Sequence, residues 1–293
     1  MSVTAAALSR KIASAGDLQS VVRTMKAVAA ANLGQYEQSV RALADYSRIV
    51  ELGLGVCFRA TMTPEMAAVE VDAGNKESPV VIVFGSDQGL VGRFNDDIVN
   101  FASAALGSLP GGPRLWAIGE RVHARLVDAG LRPVGLLPVP GSIHAVGALV
   151  GEILMQCVSA QAGGTELYLF HQRFVASGSC EPASLRLLPL DKEWRSGLAR
   201  MAWPGSCLPD VMGGMSATLG ALIREYLFVS LFRASAESLA SENASRLVAM
   251  RRADRNIGEL LESLGMTFHS VRQNGIDEEL FDVISGFEAL NTT

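Results

Sequence analysis

Residues 78–95, SPVVIVFGSDQGLVGRFN, contain the pattern that decides the fold. The apolar run VVIVF at 80–84 has the length of a buried strand, and a glycine-rich turn and a helical pattern follow it directly. This order predicts a strand, a turn and a helix. Repetition of that unit forms a parallel sheet with helices on its faces.

The glycines of this turn, Gly85, Gly89 and Gly92, raise the question of a phosphate-binding loop. A Walker A loop requires Lys and then Ser or Thr after its last glycine, but Arg93 and Phe94 stand there. The spacing also differs from the GxGxxG of dinucleotide-binding folds. We interpret the stretch as a tight turn that needs the backbone freedom of glycine. A nucleotide-binding α/β enzyme that carries a helical hairpin stays open as the alternative.

The same alternation continues through the middle of the chain. Strand patterns PRLWAIG, LRPVGLLPV and TELYLFHQRF alternate with helix patterns NDDIVNFASAAL, ERVHARLVDAG and IHAVGALVGEILMQCVSA. Asn95 is expected to cap the first of these helices and Gly130 to end the second. We predict a central Rossmann-like α/β domain with a mainly parallel sheet, which SCEPASLRLLPL at 179–190 continues.

The two ends of the chain lack proline, because all eleven prolines lie between Pro64 and Pro209. Proline breaks helix interiors, so its absence permits long helices at both ends. From Leu8 to Leu43, apolar or small residues recur at a mean spacing of about 3.5 residues, the period of a coiled coil.

A similar apolar stripe runs from Leu219 to Leu264. We therefore predict helices near 4–56 and 212–286 that pair as a long antiparallel coiled coil. The predicted domains are an N-terminal coiled-coil helix at 1–60, the α/β domain at 61–209 and a C-terminal coiled-coil helix at 210–293.

Composition disfavours several classes of function. A net charge of -5 and a pI near 5.5 give no basic footprint for broad nucleic-acid binding. The apolar runs are too short or too interrupted for a signal peptide or a membrane span, so we expect neither export nor direct membrane insertion. Ser86 lacks the GxSxG context of a nucleophile elbow, which disfavours a hydrolase.

Cysteine and histidine spacing predicts no metal site. The cysteines form no CxxC pair, so we expect reduced, buried thiols. The histidines show no metal-ligand spacing, so we expect structural or surface roles. These residues are Cys57, Cys157, Cys180, Cys207, His123, His144, His171 and His269. The sequence predicts no metal and no cofactor.

Three separated stretches share a resemblance to one family. They are LSRKIASAGDLQSVVRTMKAVAAANL at 8–33, SDQGLVGRFN at 86–95, and SENASRLVAMRRADRNIGELLESL at 241–264 with RQNGIDEELFDVISG at 272–286. Each resembles the matching stretch of the gamma subunit of F-type ATP synthases. The resemblance holds in order and at the family's spacing. Residues 100–205 match that family only in pattern.

The resemblance implies a central-stalk rotor that is not catalytic by itself. Such a chain couples ATP synthesis or hydrolysis in a ring of alpha and beta subunits to proton or sodium transport by a membrane c-ring. An epsilon-type stalk subunit is the further partner. The expected location is peripheral, on the cytoplasmic face of the bacterial inner membrane.

The resemblance also assigns partner-contact or coupling positions. Met25 matches the methionine that faces an acidic loop of a beta subunit, and Arg23 and Lys26 lie beside it in the sequence. The C-terminal helix carries the other matching polar positions, together with Asp277, which replaces the family's threonine. These residues are Arg246, Arg272, Gln273, Asp277 and Glu279.

The sequence departs from the family at several positions. Asp277, Phe287, Gln88 and the triplet Arg255-Asn256-Ile257 replace its usual residues. These departures keep open a divergent member, the rotor of a secondary sodium-translocating F-type ATPase. A non-catalytic coiled-coil adaptor is a further alternative.

Overall fold

A computed structural model describes residues 4–61, 78–107, 109, 112–158, 166–175, 180–207, 209–211 and 214–291. By internal contacts the chain divides into two compact units. The first unit comprises residues 1–29 and 247–293, and the second comprises residues 30–246.

Within the described residues, twelve elements follow one another. They are α1 Ala5–Thr61, β1 Val80–Phe84, α2 Phe94–Leu106, β2 Arg114–Ile118, α3 Glu120–Asp128, β3 Gly135–Leu137, α4 Ile143–Ile153 with a π-helical turn at Leu154–Val158, β4 Leu167–Phe174, β5 Cys180–Leu188, α5 Lys192–Arg200 and α6 Met215–Asn291. The predicted alternation of strands and helices is confirmed. The two long terminal helices are also close to their predicted ranges.

The five strands form one sheet in the order β3-β2-β1-β4-β5. Strand β1 is central and pairs in parallel with both β2 and β4, and β3 joins β2 in parallel. Only β5 runs antiparallel, along β4. The predicted mainly parallel sheet is confirmed, and its two faces are covered because parallel strands need helical crossovers.

Each face of the sheet packs its own core. One face packs against α4 and the middle of α6, with Ile82, Leu169 and Leu231 fully buried. The opposite face packs against α2 and α3, with Val83, Ile98 and Leu126 at its centre. Alternate residues of β1 therefore enter different cores, as the period of two in a strand requires.

Burial along α1 repeats with the coiled-coil period. Six buried residues lie at multiples of seven from the first, a spacing that keeps one face of a helix toward its partner. They are Leu8, Ala15, Ala29, Tyr36, Val50 and Cys57. Leu18 and Leu260, which the predicted stripes included, are instead 58% and 50% exposed, because the buried face is narrower than the apolar pattern suggested.

Within the first unit, α1 and α6 run antiparallel. Arg23 and Lys26 pair with Asp254, and Gln19 approaches Gly258. An earlier residue of α1 therefore contacts a later residue of α6. This direction agrees with the predicted antiparallel pairing.

Helix α5 is an element that the sequence reading missed. Its Leu198 is buried with Leu54 and Phe58 of α1, and its Trp194 ring lies 4.7 Å from Tyr226 of α6, centroid to centroid. The helix has only nine residues, and its apolar residues contact both long helices of the second unit. Such a short pattern gives a weak local signal, so tertiary packing rather than periodicity decides this helix.

Two local expectations differ from the structure. Asn95 is not the cap of α2, because the helix begins at Phe94 and the Asn95 amide binds Ser86 instead. Cys207 is exposed and Cys180 half-buried, so only Cys57 among the cysteines with described side chains fits the buried-thiol expectation. The side chains of Cys157 and Phe287 lie outside the described residues.

Candidate partner-contact sites

The turn after β1 is held by its own polar side chains. The Ser86 backbone N–H donates to Asn95 Oδ1 at 3.1 Å, and Asn95 Nδ2 donates to Ser86 Oγ at 2.8 Å. Asp87 accepts the backbone N–H of Glu120 at 2.9 Å and that of Val139 at 3.0 Å. Asp87 therefore satisfies a donor at the start of α3, where unpaired N–H groups would otherwise need water or a ligand.

This geometry argues against a phosphate site at the start of α3. Helix N-termini bind phosphate through free N–H groups and a favourable dipole. At α3 the Asp87 carboxylate already occupies that position, and its negative charge repels another anion. The structure therefore gives no support to a nucleotide site at the start of α3.

The three glycines of the turn have different roles. A Cβ on Gly85 would collide with the Val122 side chain, so close packing of α3 requires glycine there. Gly92 has φ +61°, a conformation that side chains rarely adopt. Gly89 has open space around it, with only an Arg121 nitrogen 3.9 Å from a Cβ position. The predicted tight turn is confirmed, although it needs two of the glycines rather than three.

A buried carboxylate joins β4 to α6 in the second unit. Glu237 Oε2 lies 2.9 Å from His171 Nε2 and 3.4 Å from Arg173 Nε. Glu237 Oε1 accepts a hydrogen bond from Arg233 Nε at 2.8 Å. Burial raises the pKa of Glu237, but the hydrogen bonds from His171 and Arg233 outweigh it and lower the pKa to about 2. The carboxylate is therefore ionised at neutral pH.

Two further bonds extend this contact along α6. Ser241 Oγ donates to the backbone carbonyl of Gln172 at 3.1 Å, and Cys180 Sγ donates to the carbonyl of Ser241 at 3.4 Å. Ser245 Oγ lies 3.6 Å from Cys180 Sγ. Polar side chains at a spacing of four on α6 thus meet the two antiparallel strands β4 and β5.

The Arg246 side chain pairs with a residue of its own helix and is mostly shielded from solvent. Its Nη2 donates to Glu242 Oε1 at 2.7 Å, and the side chain is 14% exposed. Glu242 is buried, and burial raises its pKa although Arg246 opposes the shift. Tyr36 of α1 is buried near this pair, and the pKa of its phenol is raised, first by burial and then by Glu242.

Asp254 binds two of the predicted contact residues. Its Oδ2 accepts a hydrogen bond from Lys26 Nζ at 2.6 Å, and its Oδ1 lies 3.2 Å from Arg23 Nε. These bonds, that from Lys26 first, lower the pKa of Asp254. Arg23 and Lys26, predicted to complement a partner's acidic loop, are therefore already engaged by this chain's own carboxylate. Met25 between them is half-buried.

The remaining predicted residues lie on the far part of α6. Arg272, Gln273, Asp277 and Glu279 are all exposed. Large apolar residues share this stretch: Ile276, Leu280, Phe281, Val283 and Ile284 are between 45% and 69% exposed.

The sequence did not identify Asp254 or Glu237 as partners of other elements, and it predicted only a structural or surface role for His171. Asp254 is 231 residues from Arg23, and His171 is 66 residues from Glu237, so no local spacing links either pair. One available signal was the run Glu237, Ser241 and Ser245, which places polar side chains at a spacing of four on one face of the predicted helix. Within the described residues, no three His, Cys, Asp or Glu side chains come together as metal ligands.

By length and composition alone, α6 is apolar enough to cross a membrane. Leu227 and Leu231 of this apolar stretch are buried in the sheet core, but only 17% of its residues are buried. Arg224 and Glu225 lie in the same stretch.

Comparisons with known proteins agree over almost the whole chain. The model of the ATP synthase family matches residues 4–290. The ATP synthase gamma chain of Rhizorhabdus wittichii is 30% identical, over 97% of this chain and 98% of that one.

Two solved structures have a similar fold. The mitochondrial ATP synthase central stalk and c-ring structure of Tetrahymena thermophila contains a chain with a TM-score of 0.52 and 19% identity, covering 80% of this chain and 99% of that one. The rotor of Euglena gracilis mitochondrial ATP synthase in rotational state 1 gives a TM-score of 0.53 and 15% identity, covering 92% and 97%.

The chain has a mixed α/β core and two long terminal helices, and it matches the ATP synthase family. These findings place it in the class of ATP synthase subunits. The chain belongs to the family of ATP synthase gamma chains, the rotor subunits of F-type ATP synthases. The resemblance stated from its sequence is confirmed.

Proposed function

We propose that this chain transmits torque between an ion-driven membrane ring and a ring of catalytic alpha and beta subunits, and that it catalyses no reaction itself. Rotation couples the two rings only if each orientation of the rotor contacts the surrounding subunits differently. A binding partner that contacts two conformations equally well does not change the equilibrium between them. The predicted division into 1–60, 61–209 and 210–293 assigns the terminal helices to the catalytic ring and the α/β domain to the membrane side.

One observation carries this proposal: the first unit exposes more large apolar side chains than it buries. Only four of its described apolar residues are buried: Leu8, Ala15, Ala29 and Met250. Eleven large apolar residues are exposed: Leu18, Val21, Val28, Val248, Leu260, Met266, Ile276, Leu280, Phe281, Val283 and Ile284. Exposed apolar surface on this scale is typical of a partner-binding surface. The alpha and beta subunits are the partners that the family implies.

The predicted contact residues fit this role. Arg272, Gln273, Asp277 and Glu279 are exposed beside the apolar residues of α6, so they can form polar contacts at the rim of such an interface. Arg23, Met25 and Lys26 keep part of their surface exposed and would meet an acidic loop of a beta subunit. Arg246 pairs with Glu242 of the same helix, so any effect that it has on partner contacts would pass through Glu242.

The remaining partners and the location follow from the family. An epsilon-type subunit and a c-ring would bind the second unit. The complex would place the chain peripherally at the cytoplasmic face of a bacterial inner membrane. The proposal needs no cofactor and no metal in this chain.

Reconstitution tests the proposed function. Alpha and beta subunits are assembled with and without the chain, and steady-state ATP hydrolysis is measured over a range of ATP concentrations. We expect cooperative hydrolysis only when the chain is present. Equal cooperativity without it would contradict a rotor role, and micromolar binding of ATP, ADP or NAD to the isolated chain would favour the nucleotide-binding enzyme instead.

A further inference from the structure

The middle of α6 is buried although its sequence is largely polar. Residues 234–244, ASAESLASENA, are all buried, and six of these eleven residues are Ser, Glu or Asn. The apolar members are four alanines and Leu239. Such small side chains contribute little apolar area, so the hydrophobic effect alone holds this segment weakly.

Hydrogen bonds and ion pairs along one stripe of the helix compensate for this small apolar area. Arg233, Glu237, Ser241 and Ser245 are spaced by four residues on α6. Glu237, Ser241 and Ser245 meet His171, Arg173, the Gln172 carbonyl and Cys180 on β4 and β5, and Arg233 pairs with Glu237. We call these eight residues the α6 seam. Residues four apart lie on one face of a helix, so the whole stripe faces the strands at once.

The strands β4 and β5 offer backbone and side-chain groups that can form these bonds. Strand β1 pairs with β4 only up to Phe170, so His171 and the β4 residues after it pair with no strand on that side within the described residues. Across β5, Gln172 pairs with Pro182, which has no N–H to donate. Ser241 Oγ supplies a donor to the Gln172 carbonyl.

Polar seams and apolar cores resist motion differently. Apolar contact is non-directional, so a helix packed only by small apolar residues can slide or turn at little cost. Hydrogen bonds weaken steeply when their angles change. A one-residue step turns a helix by about 100°, which would break every bond of the seam together.

We propose that the α6 seam fixes the rotational register of α6 on β4 and β5, so that torque on the helix reaches the sheet without slipping. The inference rests on the proposed rotor function. His171, Glu237 and Ser241 are then positioning residues for coupling. They take no part in ATP chemistry.

The decisive variant removes both members of the buried pair. His171→Leu with Glu237→Met replaces them by apolar side chains of similar size, and such replacements are often neutral or stabilising. Arg173 and Arg233 are more than half exposed and can turn to water. We expect an unchanged or higher Tm, retained ATP hydrolysis, and an ion-to-ATP ratio at least about twofold lower when pumping against an opposing gradient.

The measurement uses the whole complex in lipid vesicles, with ATP-driven proton or sodium uptake and ATP hydrolysis followed together. A purely structural pair would change the Tm without changing the ratio. The proposal is overturned if the double variant transports as many ions per ATP as the wild type, whether or not its Tm changes.

A milder variant decides the matter if the double variant does not assemble. Ser241→Ala removes one bond of the seam and leaves no buried charge. Its matched control is Ser235→Ala, because Ser235 is buried in the same helix and its Oγ has no hydrogen-bond partner. We expect Ser241→Ala to lower the ratio and Ser235→Ala to leave it unchanged. Equal ratios in these two variants would overturn the proposal.

The same experiment separates this inference from the rotor function. A wild-type chain that supports no ATP-driven transport would contradict the rotor function. A wild-type chain that couples normally while the seam variants couple equally well would contradict only the seam.

Discussion

At the residue scale, the glycine-rich turn shows why a motif can mislead. Its glycines look like a phosphate loop, but two of the three are explained by a neighbour or by a backbone angle. Gly85 packs against Val122, Gly92 has a positive φ, and Asp87 occupies the start of α3. The turn is a structural corner that joins β1, α3 and the segment after β3.

Gly119 gives a direct test of this corner. It has φ +117°, and a Cβ there would lie 2.8 Å from the Ser86 carbonyl carbon and oxygen. We expect Gly119→Ala to lower the free energy of unfolding by about 1–3 kcal/mol, because it forces a strained backbone against another backbone. Denaturant unfolding of the full chain measures this. The control is Gly89→Ala, which should change stability little, and an equal loss in both variants would contradict the argument.

Glu237 gives a prediction about pH. Its pKa in the fold, about 2, lies below its ordinary value of 4.5, so the ionised carboxylate stabilises the fold above pH 4.5. That contribution, about 3 kcal/mol at most, is lost as the pH falls through about 2. Exposure of Arg173 and Arg233 to water screens it further.

Glu237→Gln should therefore be less stable than the wild type at pH 7, and the difference should shrink as the pH falls from 4.5 toward 2. Urea unfolding at several pH values measures both chains. Other carboxylates titrate in both, so only the difference reports on Glu237. A difference that stays constant with pH would contradict the assigned ion pair.

At the scale of elements, helix α5 links the two long helices of the second unit. Leu198 packs with Leu54 and Phe58, while Trp194 contacts Phe58 and Tyr226 through their rings. A Cβ on Gly55 would lie 2.5 Å from the Leu198 carbonyl oxygen, so α1 needs a glycine where α5 approaches. A helix of nine residues is not stable without such contacts.

Leu198→Ala should detach α5 before the sheet unfolds. Truncation of a buried leucine costs about 2–4 kcal/mol, and only this short helix depends on the contact. Limited proteolysis between residues 190 and 201 should then become at least about tenfold faster, because cleavage follows the open population. Leu185→Ala is the control, since Leu185 is 39% exposed on β5. Equal cleavage rates in the two variants would show that α5 is held by other contacts.

At the scale of the whole molecule, the two units differ in how they are stabilised. The second unit contains the sheet, its two cores and α5. The described part of the first unit is helical and has few buried residues, and a helix pair of this kind gains stability from what it packs against. We therefore expect partner binding to matter more for the first unit.

Arg272 and Gln273 test that dependence. Replacing both with Ala should cost about 1–2 kcal/mol in contact with partner subunits, because exposed polar contacts at an interface are lost. We expect weaker coupling of hydrolysis to ion transport, or weaker assembly, without unfolding of the α/β domain. Coupled pumping in membrane vesicles measures the first effect, and circular dichroism checks the fold.

The control for that double variant is Arg41→Ala. Arg41 is an exposed side chain that pairs with Glu37 on its own helix, so its loss should leave pumping unchanged. Wild-type pumping by the Arg272/Gln273 variant would refute the role assigned to these residues.

The sequence by itself determined the elements and the family. Absence of proline and a mean spacing near 3.5 residues are local properties, and they predicted the two long helices. Alternating strand and helix patterns predicted the parallel sheet, because a helix between two strands is the usual connection between parallel neighbours. The resemblance at both ends and the centre then predicted a gamma-like rotor, which the comparisons confirm.

Only the tertiary structure decided which side chains meet. Glu237 binds His171 from another element, Asp254 binds Arg23 and Lys26 across most of the chain length, and Asn95 supports a turn instead of capping a helix. Periodicity fixes the face of a helix that is buried, but not which residue lies opposite it. That choice depends on the crossovers and the packing of the whole sheet, so the seam and the Asp254 contact could be found only in three dimensions.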